Sequence, residues 1–212
     1  MKHLVIIGAR GFGREVLWSA KYSQESEKGE YDIKGFLDDK EDALDGYKGT
    51  FPPILGSVET YVVEPDDVFF CALGDPHYRK KYADIIEAKG GKFVTITSPL
   101  AVVSGNATIG TGSIIGAFSI VSDNVVIGKH VMIQSYVDLG HDSMVGDYAS
   151  LESYVFLGGY AQVGSLSVMH TRSTLIPHKK IGENVSVGVA SVVMRNVKDG
   201  FHVFGNPAIR ID

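Results

Sequence analysis

The second half of the chain carries an apolar residue at every sixth position, and this period constrains the fold more than any other feature. A period of six matches neither the 3.6-residue repeat of a helix nor the two-residue alternation of a strand. It is the sequence signature of a β-solenoid, which predicts a parallel β-helix over residues 98–212. The sixteen anchor positions are Val103, Ile109, Ile115, Val121, Ile127, Ile133, Leu139, Val145, Leu151, Leu157, Val163, Met169, Leu175, Ile181, Val187 and Val193.

A second period of eighteen residues lies inside the first. Glycine follows every third anchor without exception, at Gly110, Gly128, Gly146, Gly164 and Gly182. Eighteen residues then make one turn of a three-sided prism. Glycine tolerates unusual corner dihedrals and lets a neighbouring backbone come close, and we expect both properties at these corners.

The first half has the pattern of an α/β domain. Short apolar runs are typical of strands that are covered on both faces, and runs with helical spacing lie between them. We predict a Rossmann-like domain over residues 1–97, joined at Ser98-Pro99 to the β-helix of residues 98–212, whose end needs a C-terminal cap. Strands are predicted at 3–8, 33–39, 68–74 and 92–96, and helices from Gly11 to about Ser23 and over 78–89.

Charge and composition exclude some partners. The net charge of −5, without a basic run, argues against nucleic acid, which requires a basic footprint. The N-terminal apolar run Leu4–Ile7 is too short for a signal-peptide core or a membrane span. The single cysteine, Cys71, lies in an apolar run and is expected to pack there. We therefore expect a soluble, cytoplasmic protein with no membrane partner.

One histidine occupies a distinctive place in the lattice. His141, in the stretch GHDSMVGDY, is the only histidine two positions after an anchor. An imidazole with a pKa near 6.5 suits a general base at neutral pH, and Gly140 before it would leave space for a ligand. A histidine that only bonds a neighbouring coil is the alternative. Such a base works best when an acid fixes its tautomer, and Asp142, preferred, or Asp123 could do so.

The turn GARGFG in the first domain has the form of a phosphate-binding loop. Its residues Gly8, Gly11, Phe12 and Gly13 would open a helix N-terminus to a pyrophosphate. The first domain is too short for a complete dinucleotide fold, which argues against NAD. Asp38-Asp39, at the end of the second strand, could bond a base or ribose. A structural loop without a ligand remains the alternative.

Together these pieces resemble the bacterial family of sialic acid O-acetyltransferases and nucleotide-amino-sugar N-acetyltransferases. The likeness is carried by GARGFGREV, GFLDD, ILGS, CALGDPHYRKK, GHDSMVGDY and FGNPAIRI, and spans essentially the whole chain. It implies a left-handed β-helix, acetyl-CoA as co-substrate, and homotrimers with active sites between neighbouring prisms. It also implies that His141 is the catalytic base. No metal is expected, because a thioester is activated enough for attack by a base-assisted nucleophile.

The resemblance further implies particular contacts. Coenzyme A would lie along Gly158-Gly159, an uncluttered wall for its pantetheine arm, with Ala190 and Asn206 near its nucleotide end. A uridine-diphosphate sugar would bind the first domain, where Gly74 and Arg79 match the family's third-strand motif.

Two positions depart from the family pattern. Ser150 replaces a histidine that N-acetyltransferase members often carry nine residues after the base, and Phe12 replaces a histidine of many nucleotide-sugar binders.

The main hypothesis is acetyl-CoA-dependent acetylation of a sugar, first of the amino group of a nucleotide-linked amino sugar, with O-acetylation of sialic acid or a related sugar as the alternative. A zinc hydratase resembling γ-type carbonic anhydrases would need three converging histidines, whereas His141, His170 and His178 occupy unrelated lattice slots. A non-catalytic scaffold that binds a sugar nucleotide is the third possibility.

Overall fold

The computed structural model describes all 212 residues, and the chain divides into two compact units, Met1–Thr97 and Ser98–Asp212. None of its helices is both long and apolar enough to cross a membrane.

The first unit is a parallel sheet with helices, in the strand order β2-β1-β3-β4. Strand β1 is buried at its last four residues and pairs in parallel with both neighbours, as expected for a short apolar run. The predicted Rossmann-like fold is confirmed. Its elements are β1 Lys2–Ile7, α1 Gly11–Lys21, α2 Gln24–Glu27, β2 Tyr31–Leu37, β3 Asp67–Cys71, α3 Pro76–Ala88, β4 Lys92–Phe93 and β5 Ile96–Thr97.

Local differences from the predicted elements have local causes. The short helix α2 was not predicted; it begins because the hydroxyl of Ser23 accepts a hydrogen bond from Ser26 N at 3.0 Å. The strand expected at 92–96 is two short strands, β4 and β5. Cys71 is fully buried, and its burial raises the pKa of the thiol to about 12, so it packs as a small apolar side chain.

The second unit is a left-handed parallel β-helix, as predicted. Each of the sixteen anchors is the second residue of a two-residue strand. The strands are β6 Val102–Val103, β7 Thr108–Ile109, β8 Ile114–Ile115, β9 Ile120–Val121, β10 Val126–Ile127, β11 Met132–Ile133, β12 Asp138–Leu139, β13 Met144–Val145, β14 Ser150–Leu151, β15 Phe156–Leu157, β16 Gln162–Val163, β17 Val168–Met169, β18 Thr174–Leu175, β19 Lys180–Ile181, β20 Ser186–Val187 and β21 Val192–Val193.

These strands form three parallel sheets, one for each side of the prism. One sheet runs β6-β9-β12-β15-β18-β21, the second β7-β10-β13-β16-β19, and the third includes β8-β11-β14-β17-β20-β22. Each strand residue from β6 to β18 pairs with the residue eighteen positions later, as Leu139 does with Leu157. The anchors from Ile115 to Val193 line the interior and form its core.

Buried serines bond successive coils to each other. The hydroxyl of Ser113 donates to Gly128 O at 2.9 Å and accepts from Val131 N at 2.9 Å. Ser167 makes the same pair of bonds with Gly182 O and Val185 N. At these two corners a serine four positions after an anchor therefore satisfies buried backbone groups of the next coil.

The repeated glycines have only one of their two expected roles. A Cβ at Gly110 would lie 2.5 Å from the carbonyl carbon of Gly128, so close approach of the next coil requires glycine there. Their φ angles are not positive, so the expected corner dihedrals are absent at these positions. The left-handed backbone occurs two residues later, for example at His130 and Tyr148, whose rings stack at 4.9 Å.

A hairpin follows the last coils. Strand β22, His202–Gly205, pairs in parallel with β20, and β23, Ala208–Arg210, pairs antiparallel with β22. Val203 of the hairpin is buried against the apolar interior, so the hairpin closes this end of the column.

We predict that Leu157→Ala destabilises the protein by about 2–5 kcal/mol, because the anchor is fully buried and stacked coils cannot collapse into the cavity. Denaturant unfolding followed by circular dichroism measures this change. Gln162→Ala, at an exposed strand position, is the control and should change stability little. Equal effects of the two substitutions would contradict the assignment of the anchors.

Candidate active site and nucleotide cavity

His141 lies on the outside of the β-helix, at the corner between β12 and β13. Its side chain is 61% exposed, and its Nδ1 lies 2.8 Å from Oδ2 of Asp142. The ring of Tyr160, one coil further on, meets the imidazole edge to face with centroids 5.3 Å apart. Backbone bonds hold the corner, since Tyr160 N donates to His141 O at 3.0 Å.

The hydrogen bond to Asp142 determines which nitrogen of His141 can act as a base. A carboxylate accepts, so neutral His141 carries its proton on Nδ1 and presents the Nε2 lone pair. This arrangement can remove a proton from an amine or hydroxyl placed near Nε2.

Asp142 is itself held in the ionised form. Hydrogen bonds from Asn124, the largest cause, and from His141 lower the pKa of the Asp142 carboxyl. Asn124 Nδ2 lies 2.7 Å from Asp142 Oδ1. The other acid weighed from the sequence, Asp123, instead accepts hydrogen bonds from Ser104 Oγ at 3.0 Å and Asn106 Nδ2 at 2.8 Å. Of the two acids, Asp142 is the one that bonds His141.

Three glycines around His141 are explained by packing within the chain. A Cβ at Gly140 would lie 2.7 Å from Gly159 N, so close approach of the next coil requires glycine here, and the expected space for a ligand stays a prediction. A Cβ at Gly158 would lie 2.5 Å from Pro177 N. A Cβ at Gly159 would lie 2.8 Å from Nε2 of His141, so the imidazole lies over this glycine. Packing within the chain therefore explains why residues 158 and 159 are glycines without any role for coenzyme A. The contacts of Gly158 and Gly159 with coenzyme A stay predictions.

The other predicted cofactor contacts lie further along the column. Ala190 occupies a left-handed corner with φ 55°, and Asn206 lies in the turn between β22 and β23. Ser150, at the position where family members often have histidine, is buried in strand β14. Nothing in their surroundings assigns a ligand to them.

The three histidines of the hydratase alternative do not form a metal-binding group. His170 Nδ1 lies 3.0 Å from Glu152 Oε1, and this bond raises the pKa of His170. His178 stacks on Tyr160 with centroids 4.9 Å apart. No group of three or more His, Cys, Asp or Glu side chains is arranged to hold a metal ion.

The first unit contains a cavity of about 490 Å³ at the carboxyl ends of its strands. Parallel α/β sheets bind ligands at this edge. Six of the eight residues predicted to bind the sugar nucleotide line it: Gly8, Phe12, Gly13, Asp38, Asp39 and Gly74. Helix α1 begins at this cavity, and no side chain caps its N-terminus.

The remaining two residues do not line the cavity. Arg79 is fully buried, and its Nη1 donates to Leu73 O at 2.7 Å and Gly74 O at 3.2 Å, so it fixes the loop after β3. Gly11 is exposed with open space around its α-carbon. Asp38 lines the cavity, but its carboxylate accepts from Ala9 N and Lys40 N, both at 3.0 Å, which holds the loop ends.

Four polar or aromatic residues of the cavity were not predicted from the sequence: Arg10, Asp75, Tyr78 and Tyr82. Arg10 lies at the N-cap of α1 and adds a cation to the helix N-terminus. Tyr78 and Tyr82, one helical turn apart on α3, supply aromatic faces. Arg10 lies in the turn GARGFG directly before a helix, and this position could have indicated a ligand-binding role. The tyrosines gave no such signal, because their spacing also fits a packed helix face.

A β-helix with an exposed histidine-carboxylate pair, following a Rossmann-like unit with a phosphate-type turn, has the architecture of a hexapeptide-repeat acyltransferase. Comparisons with known proteins agree. Residues 3–86 match the family model of the PglD N-terminal domain. A segment of 116 residues is 30% identical to UDP-N-acetylbacillosamine N-acetyltransferase of Bacillus subtilis (strain 168) and spans 54% of this chain and 51% of that relative, about half of its length.

Solved structures match over the whole chain. The acetyltransferase domain of PglB from Neisseria gonorrhoeae FA1090 has a TM-score of 0.86, is 25% identical, and is covered completely, as is this chain. WeeI from Acinetobacter baumannii AYE has a TM-score of 0.74 at 26% identity, with both chains covered completely. PerB from Caulobacter crescentus, crystallised with CoA and GDP-perosamine, has a TM-score of 0.89 at 24% identity, covering 100% of this chain and 98% of that one.

The chain is therefore similar along its length to hexapeptide-repeat nucleotide-amino-sugar acetyltransferases. The predicted family resemblance and fold class are confirmed. The predictions of an acetyltransferase and of acetyl-CoA as co-substrate agree with these relatives, which are acetyltransferases crystallised in part with CoA.

We predict that Gly159→Ala displaces the His141 ring while leaving the fold stable, because the atoms closest to the added methyl belong to the end of an exposed side chain and not to backbone. Gly140→Ala is the matched control: its methyl meets backbone, and we expect destabilisation of about 1–3 kcal/mol. Thermal unfolding and imidazole ¹⁵N chemical shifts separate the two effects. An unchanged His141 spectrum in Gly159→Ala would contradict the packing described.

Proposed function

We propose that this protein transfers the acetyl group of acetyl-CoA to the amino group of a nucleotide-linked amino sugar, with His141 as general base and Asp142 as its orienting acid. The observation that carries this proposal is the exposed imidazole on a rigid corner whose Nδ1 is bound to a carboxylate, which leaves Nε2 as the ring nitrogen that can accept a proton. The relatives support the reaction class: one is named for N-acetylation of a UDP-linked sugar, and another was crystallised with CoA and a GDP-linked sugar.

The proposed step needs no group beyond these side chains and the two substrates. The amine nitrogen attacks the thioester carbonyl while Nε2 of His141 takes its proton, and Asp142 stabilises the imidazolium that forms. Collapse of the tetrahedral intermediate breaks the C–S bond. The sulfur leaves and receives the proton from His141, which yields the acetamide, free coenzyme A and neutral histidine. Gly158, Gly159, Ala190 and Asn206 remain the proposed contacts of coenzyme A.

The cavity of the first unit is the proposed site for the nucleotide. Arg10 and the uncapped N-terminus of α1 would hold the diphosphate by charge and backbone N–H groups. Tyr78 and Tyr82 would contact the base by stacking, and Asp39 would accept hydrogen bonds from base or ribose.

We further propose a cytoplasmic homotrimer, which the resemblance implies and closed symmetry permits. The sheet that contains β6, β9 and β15 leaves an apolar row exposed, formed by Val102, Ile120 and Phe156. A second copy would cover this row. Asp138 lies between Ile120 and Phe156 in register, and its pKa is already raised by burial.

Acetylation of a sugar hydroxyl is the second candidate. It is favoured by Ser150, which stands where N-acetyltransferases often have histidine. Nε2 of His141 could equally take a proton from a hydroxyl. Incubation with acetyl-CoA and a panel of UDP- and GDP-linked amino sugars, sialic acids and free sugars distinguishes the two, with free thiol and acetylated product as readouts. Release of no coenzyme A with any acceptor would overturn the enzymatic proposal.

We predict that His141→Ala lowers the rate of acetyl transfer about 10²–10⁴-fold, because a positioned base contributes a factor of that order. His3→Ala, an exposed histidine paired with Asp32 in the first unit, should leave the rate unchanged. Steady-state kinetics with the best acceptor measure both variants. Turnover of His141→Ala within twofold of wild type would exclude His141 as the base.

We predict that Arg10→Ala weakens binding of the nucleoside diphosphate sugar about tenfold or more, because a charge-assisted hydrogen bond of about 1.5–3 kcal/mol is lost. Calorimetric titration with UDP and GDP measures this affinity. Lys2→Ala, which removes an exposed cation outside the cavity, is the control. Equal affinities in wild type and Arg10→Ala would place the diphosphate elsewhere.

A further inference from the structure

We infer that Asn124 is a positioning residue for the proposed base: its amide fixes the Asp142 carboxylate, and through it the tautomer and direction of the His141 ring. This inference rests on the proposed function for its kinetic consequences. The hydrogen bonds that support it join residues of this chain and do not depend on a bound substrate.

The two oxygens of Asp142 have different partners. Oδ1 accepts from Asn124 Nδ2 at 2.7 Å, and Oδ2 lies 2.8 Å from His141 Nδ1. The terminal torsion of a carboxylate is broad, so one hydrogen bond alone leaves its plane free to turn. The second bond, from a neighbouring coil, removes that freedom and keeps Oδ2 aimed at the imidazole.

The backbone makes this contact rigid. Asn124 and Asp142 both have the left-handed conformation, with φ 56° and 60°, which Asn and Asp adopt more readily than most residues. They occupy the same corner of successive coils. Asp142 N donates to Asp123 O at 3.0 Å, so the distance between the two side chains is set by coil stacking.

A neutral donor suits this position electrostatically. Tyr160, on the following coil with His178 stacked behind it, also contributes a hydrogen bond that lowers the pKa of Asp142. The carboxylate of Asp123 is bound instead to Ser104 and Asn106. A lysine at 124 would compete with His141 for the carboxylate as an ion-pair partner. An aspartate would repel Asp142 and add negative charge near the imidazole. Asparagine stabilises the carboxylate and leaves His141 as its only basic partner; the lowered pKa of Asp142 agrees with this role.

An analogous pair one coil earlier provides a control. Asn106 Nδ2 donates to Asp123 Oδ1 at 2.8 Å, but Asp123 does not bond a histidine. Loss of the Asn106 bond should disturb the coil to a similar degree without affecting His141.

The experiment compares Asn124→Ala, Asn124→Asp and Asn106→Ala with wild type. Asn124→Ala should lower kcat about 10-fold or more, the size of effect seen when a metal-ligating histidine loses its outer hydrogen-bond partner, with an unchanged KM for acetyl-CoA. Asn124→Asp keeps the shape, removes the donor and adds charge. The added charge favours the imidazolium, so neutral His141 forms only at higher pH and the acid limb of the pH–rate profile should move upward. Asn106→Ala should match wild type.

A double-mutant cycle separates this role from a general structural one. In an Asp142→Ala background, Asn124→Ala should have no further effect on kcat, because its target is gone. An equal loss in both backgrounds would overturn the inference, as would wild-type kcat in Asn124→Ala.

A readout that is independent of activity distinguishes failure of the inference from failure of the proposed function. The ¹⁵N shifts of His141 should show one Nδ1–H tautomer in wild type and a tautomer mixture in Asn124→Ala. If the wild-type protein acetylates no sugar, the proposed function fails and the spectra still decide the inference. A single unchanged tautomer in both proteins overturns it.

Discussion

The fixed register of parallel coils is the constraint on which the rest of this structure depends. Strand residues along most of the β-helix pair with the residue eighteen positions later, and strands only two residues long are held by bonds to the coils on both sides. A corner of the prism is therefore positioned by its neighbours rather than by its own sequence. Side chains one full turn apart are therefore held in contact, so a chemical site can be built from residues of successive coils.

The candidate active site shows what this register provides. Asn124 belongs to one coil, His141 and Asp142 to the next, and Gly159 with Tyr160 to a third. Gly159 leaves room for the imidazole of His141. Asn124 binds the carboxylate of Asp142, which in turn binds the imidazole. Such support on rigid elements is what a positioned base requires, because a mobile loop would lose the alignment of the reacting groups.

In the first unit, much of the apparent binding motif maintains the loops that surround the cavity. Arg79 bonds the carbonyls of its own loop, and Asp38 bonds the amides of Ala9 and Lys40. Gly13 allows helix α1 to approach the carbonyl of Gly8. The sequence motif thus located the cavity correctly but did not distinguish the residues that shape it from those, such as Arg10, that face into it. Residues that shape the cavity and residues that face into it lie next to each other in the same short turn, so their spacing in the sequence does not separate them.

The sequence by itself determined the period of the β-helix, the identity of its core and the place of His141 on its surface, because a six-residue apolar repeat leaves only one face of each strand to bury. It also indicated the α/β unit through short apolar runs. Tertiary structure alone decided that Asp142, rather than Asp123, bonds the imidazole. It also decided that the repeated glycines serve close approach while other residues, mostly aromatic and polar, adopt the left-handed corners. These outcomes depend on side-chain direction and on contacts between coils, which the order of residues along one coil does not specify.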